Sequence, residues 1–372
     1  MAEMKLLVQP DDGVGPLVKA IQTARASLEI FIFRFDRVEI ETALVKAIGR
    51  GVSVRALIAY TNRGGERSLR ALEMRLLAAG VTVARTDDDL VRYHGKLMIV
   101  DGRELYLMGF NLTSLDIERS RSFAVITDDG EIVREALNLF EADSKRLPYT
   151  PGMDTFVVSP LNARKVLAGF IRDARNELLI YDPAVTDPEM ARLLVARSGQ
   201  GVAIRVLGRL LQRISGIEAM GLFMRLHARV IVRDREDVFL GSQSLRTAEL
   251  DARRETGIIF HDPQIAARLA ATFEGDWNES RKFKEENKSN TGDTAEEPPP
   301  PRKVGKKVAK TVVRELPPVA PVLEVIVREL AGPETEVNID AKQLESTVKD
   351  AVRSAIQNVV AEAVEQASSE PE

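Results

Sequence analysis

The sequence predicts an α/β protein in which two copies of one α/β unit pack about a pseudo-twofold axis, followed by a disordered linker and a C-terminal helix. Three observations carry that expectation. Strand-like apolar runs alternate with helix-like runs over the first 282 residues. Long segments within that stretch repeat each other. Composition then changes abruptly after Trp277, where charge and proline replace apolar periodicity.

The elements follow in chain order. Leu28 to Phe35, Val52 to Ala59 and Leu97 to Val100 are short runs rich in branched and aromatic residues, which suit strands. SLEIFIF from Ser27 has a counterpart in NELLIYD from Asn176, and GVSVRALIAY from Gly51 matches GVAIRVLGRL from Gly201 at an offset of 150 residues. Further on, HGKLMIVDGRELYLMGFNL from His94 lies over HARVIVRDREDVFLGSQSL from His227 without a gap, at an offset of 133. The shortfall falls between Tyr60 and His94 of the first copy. The second copy is therefore expected to lack a helix and a strand, including one like GVTVAR from Gly80. The repeats divide the chain into copies at 1–150 and 151–282.

Residues 283–322 read as a disordered linker. Four consecutive prolines from Pro298 to Pro301 favour extended geometry, and the charged surroundings cannot support a core. The basic cluster Arg302, Lys303, Lys306, Lys307 and Lys310 suits a solvated face, with nucleic acid or anionic lipid as alternatives. In the tail, 323–372, an amphipathic helix is expected over 341–367. Leu344, Val348, Val352 or Ala351, Ile356, Val359 and Ala363 return at helical spacing there. That stripe needs a partner: self-association or the main domain, ahead of a membrane surface, because basic residues are few.

Composition narrows the chemistry. With 372 residues, 44% hydrophobic, the chain can bury a sizeable core, and it contains no cysteine. Disulfides, thiolate metal sites and cysteine nucleophiles are excluded, and a cytoplasmic location is the expectation. The first residues show no secretory apolar region, and no stretch is long and apolar enough for a membrane span, so membrane contact is expected to be peripheral. Net charge is −4, with 12 basic and 17 acidic residues from Phe283 onward, which leaves a near-neutral core. Such a core argues against a domain built mainly to grip nucleic acid. No glycine-rich nucleotide loop and no metal-ligand spacing occurs; Asp87 to Asp89 reads as a solvated loop. No metal or cofactor is expected.

The sharpest signal is histidine placement. The chain holds only three histidines, and His94 and His227 occupy equivalent repeat positions. Each precedes a strand-like run, where alternation puts residues i and i+2 on one face. His94 thus points with Lys96, and His227 with Arg229. A histidine beside a cation suits a phosphate. His261, without a repeat partner, reads as a surface turn residue.

These residues resemble the repeated motif of the phospholipase D superfamily, H-x-K, four residues, D, six residues, then G-S/G-x-N. The first copy carries His94, Lys96 and Asp101, then Met108, Gly109, Phe110 and Asn111. The second carries His227, Arg229 and Asp234, then Gly241, Ser242, Gln243 and Ser244. Arg229 stands where the family has lysine, Ser244 where it has asparagine, and Met108 where it has glycine. Glu255 matches an acidic position of the family that orients a histidine; its counterpart in the first copy is Ser122.

The resemblance implies metal-independent phosphodiester hydrolysis or transfer through a phosphohistidine. One histidine attacks phosphorus and the other protonates the leaving alcohol. By analogy His94 is the nucleophile and His227 the acid, an order open to exchange. Lys96 and Arg229 would neutralise phosphoryl oxygens, while Asn111, Ser242 and Ser244 would donate hydrogen bonds. Asp101 and Asp234, motif members grouped with the catalytic residues, are expected to hold loop geometry. Asn111 has an alternative reading as the cap of a helix starting near Thr113. The implied partner is a phosphodiester, with phospholipid favoured over nucleic acid. The rival readings are a nuclease on the same scaffold and a degenerate phosphate-binding scaffold, the second motivated by Arg229.

Overall fold

The computed structural model describes residues 3–60, 66–211 and 214–290. The first copy opens with β1 (Met4–Gln9), α1 (Gly15–Thr23), β2 (Ser27–Ile32), α2 (Val38–Gly49) and β3 (Ser53–Ile58). It continues through α3 (Glu66–Ala78), β4 (Thr82–Arg85), β5 (Arg92–Tyr93), β6 (Leu97–Val100) and β7 (Glu104–Met108). It closes with α4 (Ser114–Glu118), β8 (Ser120–Thr127) and α5 (Gly130–Lys145). The second copy begins β9 (Phe156–Val158), α6 (Ala163–Arg172), β10 (Glu177–Val185), α7 (Pro188–Gly199) and β11 (Ala203–Leu210). Then come β12 (Ile217–Met220), β13 (Arg225–Leu226), β14 (Val230–Arg233) and β15 (Asp237–Gly241). It ends with α8 (Thr247–Asp251), β16 (Arg253–Arg254), β17 (Thr256–His261) and α9 (Pro263–Asn290).

The two sheets have one topology. The first runs β1-β8-β7-β6-β2-β3-β4 and the second, read from its other edge, β9-β17-β15-β14-β10-β11-β12. β2, β3 and β4 are parallel, as are β10, β11 and β12. Alternation along the strands sorts side chains onto two faces. Leu28, Ile30 and Ile32 pack outward against α1 and α2, whereas Phe31 and Phe33 face an inner core. In β10, Leu178 and Ile180 face α6 and α7, whereas Leu179 and Tyr181 join the same inner core. That core also holds Phe140 of α5 and Phe273 of α9, so both copies share it.

Two expectations need correction. The second copy does lack a counterpart of α3, but it keeps the strand: Ile217 of β12 pairs Ile204 in parallel, as Val83 of β4 pairs Ala56. The motif survives in GIEAM from Gly216, too divergent from GVTVA to match by eye, because an edge strand in this position tolerates exposed residues such as Glu218. The linker does not start at residue 283 either. Helix α9 continues to Asn290, and Lys284, Glu285 and Glu286 on it are exposed. The remainder of the linker, and the tail helix expected at 341–367, lie outside the described residues.

Ion pairs repeat across the copies. Arg121 of β8 grips Asp276 of α9 at 2.8 and 2.9 Å, and Arg254 of β16 meets Asp143 of α5 at 3.1 Å. Both arginines and both aspartates are related by the 133-residue offset. Each pair joins one copy to the other.

Candidate active site

Pairing between the copies places the histidines. β5 runs beside β16, and the His94 amide donates to the Arg254 carbonyl at 2.7 Å. β13 runs beside the start of β8, and the His227 amide donates to the Arg121 carbonyl at 3.0 Å. Each histidine is therefore anchored to the opposite copy. Gly109 and Gly241 meet at the same seam: a Cβ on Gly109 would lie 3.1 Å from the Gly241 carbonyl oxygen. On Gly241 it would lie 2.7 Å from the Gly257 Cα, so bare backbone is required there.

The motif cations behave as a pair. The Lys96 ammonium donates to the His94 carbonyl at 2.6 Å, and the Arg229 guanidinium donates to the His227 carbonyl at 3.0 Å. Arginine thus occupies the lysine position of the repeat. Its Nε also donates to Ser244 Oγ at 3.3 Å, so the longer side chain sits opposite a shorter neighbour than Asn111.

Glu255 is fully buried and accepts from Nδ1 of His94 at 2.8 Å. A carboxylate only accepts, so the shared hydrogen sits on Nδ1 and Nε2 carries a free lone pair. The His94 ring meets Phe33 edge to face, with centroids 4.5 Å apart. On the other side, Nδ1 of His227 lies 3.4 Å from Oδ2 of Asp116.

Asn111 does not cap a helix. Thr113 caps α4, while the Asn111 backbone amide and Nδ2 both donate to Asp116, at 2.9 and 2.7 Å. Its Oδ1 has no hydrogen-bond partner, although buried. Ser244 is tied in the same way, its amide donating to Glu249 at 2.8 Å. Ser242 Oγ accepts from the Thr256 amide at 3.0 Å, bracing the strand that delivers Glu255.

Asp101 and Asp234 require a correction to their grouping with the catalytic residues. Both lie beyond the far ends of β6 and β14, with the whole strand between them and the histidines. Asp101 accepts from the amides of Arg25, Ala26 and Ser27; Asp234 accepts from those of Arg175, Asn176 and Glu177. Both have positive φ, 53° and 54°, as a tight turn requires. They hold the turn onto the first residues of β2 and β10.

Charge at the site is strongly coupled. Burial, and then Lys96, push the His94 imidazole well below its ordinary pKa; burial, and then Arg229, do the same to His227. Burial also pulls Lys96 down to about 7 against the attraction of Glu255. Each of these groups feels members of both copies, so the copies build one electrostatic site. His261 lies elsewhere, at the exposed end of β17 beside Asp237.

Asp116, Glu249 and Arg225 were not singled out from the sequence. A signal existed: the 133-residue offset aligns Asp116 with Glu249 and Arg92 with Arg225. What spacing could not show is which histidine each acid faces.

Fold and site together define a duplicated α/β protein whose histidine site is completed across the seam between copies. A family model described as "Cardiolipin synthase, PLD-like domain" matches residues 17–144 and 167–277. The chain belongs to the phospholipase D superfamily. It is 32% identical over 130 residues to the mitochondrial cardiolipin hydrolase of Danio rerio, an alignment covering 34% of this chain and 56% of that protein. It is 21% identical over 344 residues to cardiolipin synthase 1 of Bacillus anthracis, covering 75% of this chain and 67% of that protein. The chain thus spans little more than half the length of the hydrolase. A crystal structure of polyphosphate kinase from Porphyromonas gingivalis superposes with a TM-score of 0.62 at 18% identity, over 73% of this chain and 50% of that one, and shares the fold.

Proposed function

We propose that the protein is a phospholipid phosphodiesterase or phosphatidyltransferase that works through a phosphohistidine. The observation that carries this reading is the seam itself: two histidines, each anchored to the opposite copy, share one field with Lys96 and Arg229. Likeness to proteins named cardiolipin hydrolase and cardiolipin synthase supports a glycerophospholipid as substrate.

In this mechanism Nε2 of His94 attacks phosphorus while the bond from phosphorus to the leaving oxygen breaks. His227 gives its Nε2 proton to that oxygen, so the alcohol departs neutral. His227 then takes a proton from water or an acceptor alcohol, whose oxygen attacks phosphorus and releases His94. Glu255 supports His94 as nucleophile by fixing its tautomer. A phosphodiester anion beside His227 favours its imidazolium, opposing the burial and cation effects that lower it, while Glu255 keeps the His94 proton on Nδ1. Lys96 and Arg229 balance the charge growing on the phosphoryl oxygens.

The test is turnover of vesicles containing phosphatidylglycerol, with chelator present, followed by a basic quench and mass spectrometry. Chelator-resistant release of phosphatidic acid or cardiolipin, with a phosphorylated histidine, is the expected result. Added ethanol separates the outcomes: a transferase diverts product to phosphatidylethanol, a hydrolase does not. A His94→Asn variant with full activity would remove the mechanism.

A further inference from the structure

We infer that Asp116 is the positioning residue of His227, taking over from the acid that the first copy lacks at Ser122. The inference rests on His94 and His227 being the reacting pair. By the repeat, His227 should be held by the residue equivalent to Glu255, but that position is Ser122, whose hydroxyl donates instead to the backbone carbonyl of Asp116 at 3.3 Å. Ser122 therefore fastens α4, and α4 presents an acid from a different direction.

Asp116 is 2% exposed, and its Oδ2 lies 3.4 Å from Nδ1 of His227, within ion-pair distance of a buried nitrogen that makes no hydrogen bond. Oδ2 also accepts both donors of Asn111, and Oδ1 accepts from Arg225 Nη1 at 2.6 Å. Thr113 caps the turn that carries it. Glu249, its repeat equivalent, binds the Ser244 amide and Arg253, with Arg229 3.9 Å away, and acts on His94 through its charge rather than through a hydrogen bond.

The consequence is a deliberate asymmetry. Glu255 holds His94 closely, at 2.8 Å. Asp116 approaches His227 to 3.4 Å, an ion-pair distance without a hydrogen bond, and divides its charge with Arg225. The groups facing His227 are Asp116 from α4, Arg225 from β13, Lys96 just before β6 and Arg229 just before β14; only Asp116 among them favours the imidazolium. A looser acid leaves the His227 proton easier to give away, which suits the ring that must donate it.

The experiment uses the full chain with 15N-labelled histidine, whose three resonances are assigned by His→Asn variants. Neutral His227 in the unsubstituted protein is expected as the Nδ1-protonated tautomer, opposite to free histidine; an Nε2-protonated ring overturns the inference without any variant. Asp116→Asn should lower the His227 pKa and mix its tautomers while leaving His94 unchanged. Turnover of phosphatidylglycerol vesicles should fall about 100-fold, and Asp116→Asn with Ser122→Glu should recover at least tenfold of that loss. A His227 titration unmoved by Asp116→Asn, or no recovery in a folded double variant, overturns the inference. If the ring responds as stated while the unsubstituted protein turns over no lipid, the assignment of Asp116 stands and the activity reading falls.

Discussion

Glu255 of the second copy holds Nδ1 of His94, in the first copy, at 2.8 Å. Replacing it with isosteric glutamine keeps the volume but allows the amide to donate, so the ring is no longer fixed with Nε2 bare. We expect Glu255→Gln to lower kcat on phosphatidylglycerol vesicles by about 10²- to 10⁴-fold, the range seen when an orienting carboxylate is lost. A melting temperature close to that of the unsubstituted protein would show that orientation, not folding, was removed.

In the proposed mechanism, His227→Asn removes the proton donor while leaving the nucleophile. Given a phosphodiester with an activated leaving group, which needs no protonation, this variant should accumulate phosphorylated His94. Base-quenched mass spectrometry reads the adduct. Phosphate on His227 in the converse variant, His94→Asn, with none on His94 here, would exchange the roles.

Arg229 distinguishes adaptation from decay. Its guanidinium reaches both the His227 carbonyl and Ser244 Oγ, a fork that an ammonium cannot reproduce. Arg229→Lys should therefore reduce vesicle turnover by about tenfold or more. Increased turnover would mark the arginine as a lesion.

Lys96 sets an alkaline limit. Burial lowers it to about 7, so the free protein loses this cation as pH rises through that value. The kcat/KM profile, which reports the free enzyme, should fall above pH about 7, and Lys96→Arg should move that limb upward. The stability sign is opposite: between about 7 and the ordinary lysine value, the unfolded chain binds the proton and the folded one does not. Lys96 thus adds stability as pH rises through that window. Lys96→Met should flatten that slope in denaturant titrations.

Arg121 carries the seam. Removing it leaves Asp276 buried between copies, with the Tyr181 hydroxyl, 2.7 Å away, as its remaining side-chain hydrogen-bond donor among the described residues. Arg121→Met should cost about 3 to 5 kcal/mol in denaturant unfolding, the usual penalty for stranding a buried charge. Exposed Lys282→Met should change stability little, since its pair with Glu279 is solvent-screened.

Much of the protein is legible in the chain. Strand periodicity shows the α/β class, with β2 ending at Ile32 rather than at Phe35, where the chain turns toward α2. Repeat offsets bring His94, Lys96, His227 and Arg229 to equivalent places, because a duplicated fold preserves register even as side chains diverge. Asp101 and Asp234 were readable as turn residues from their odd offset on a strand. The strand β12 was not legible, since four residues with an exposed edge carry almost no apolar pattern.

By itself, then, the sequence determined the duplication, the paired histidine motifs and the cations that travel with them, which follow from spacing within each copy and from the offset between the two. Only the tertiary structure decided which acid serves which histidine. Glu255 and His94 are separated by 161 residues, and Asp116 and His227 by 111, so no periodicity relates them. Their pairing is set by the packing of one copy on the other, where β5 meets β16 and β13 meets β8. A carboxylate acts through distance and direction, and those are properties of the packed seam.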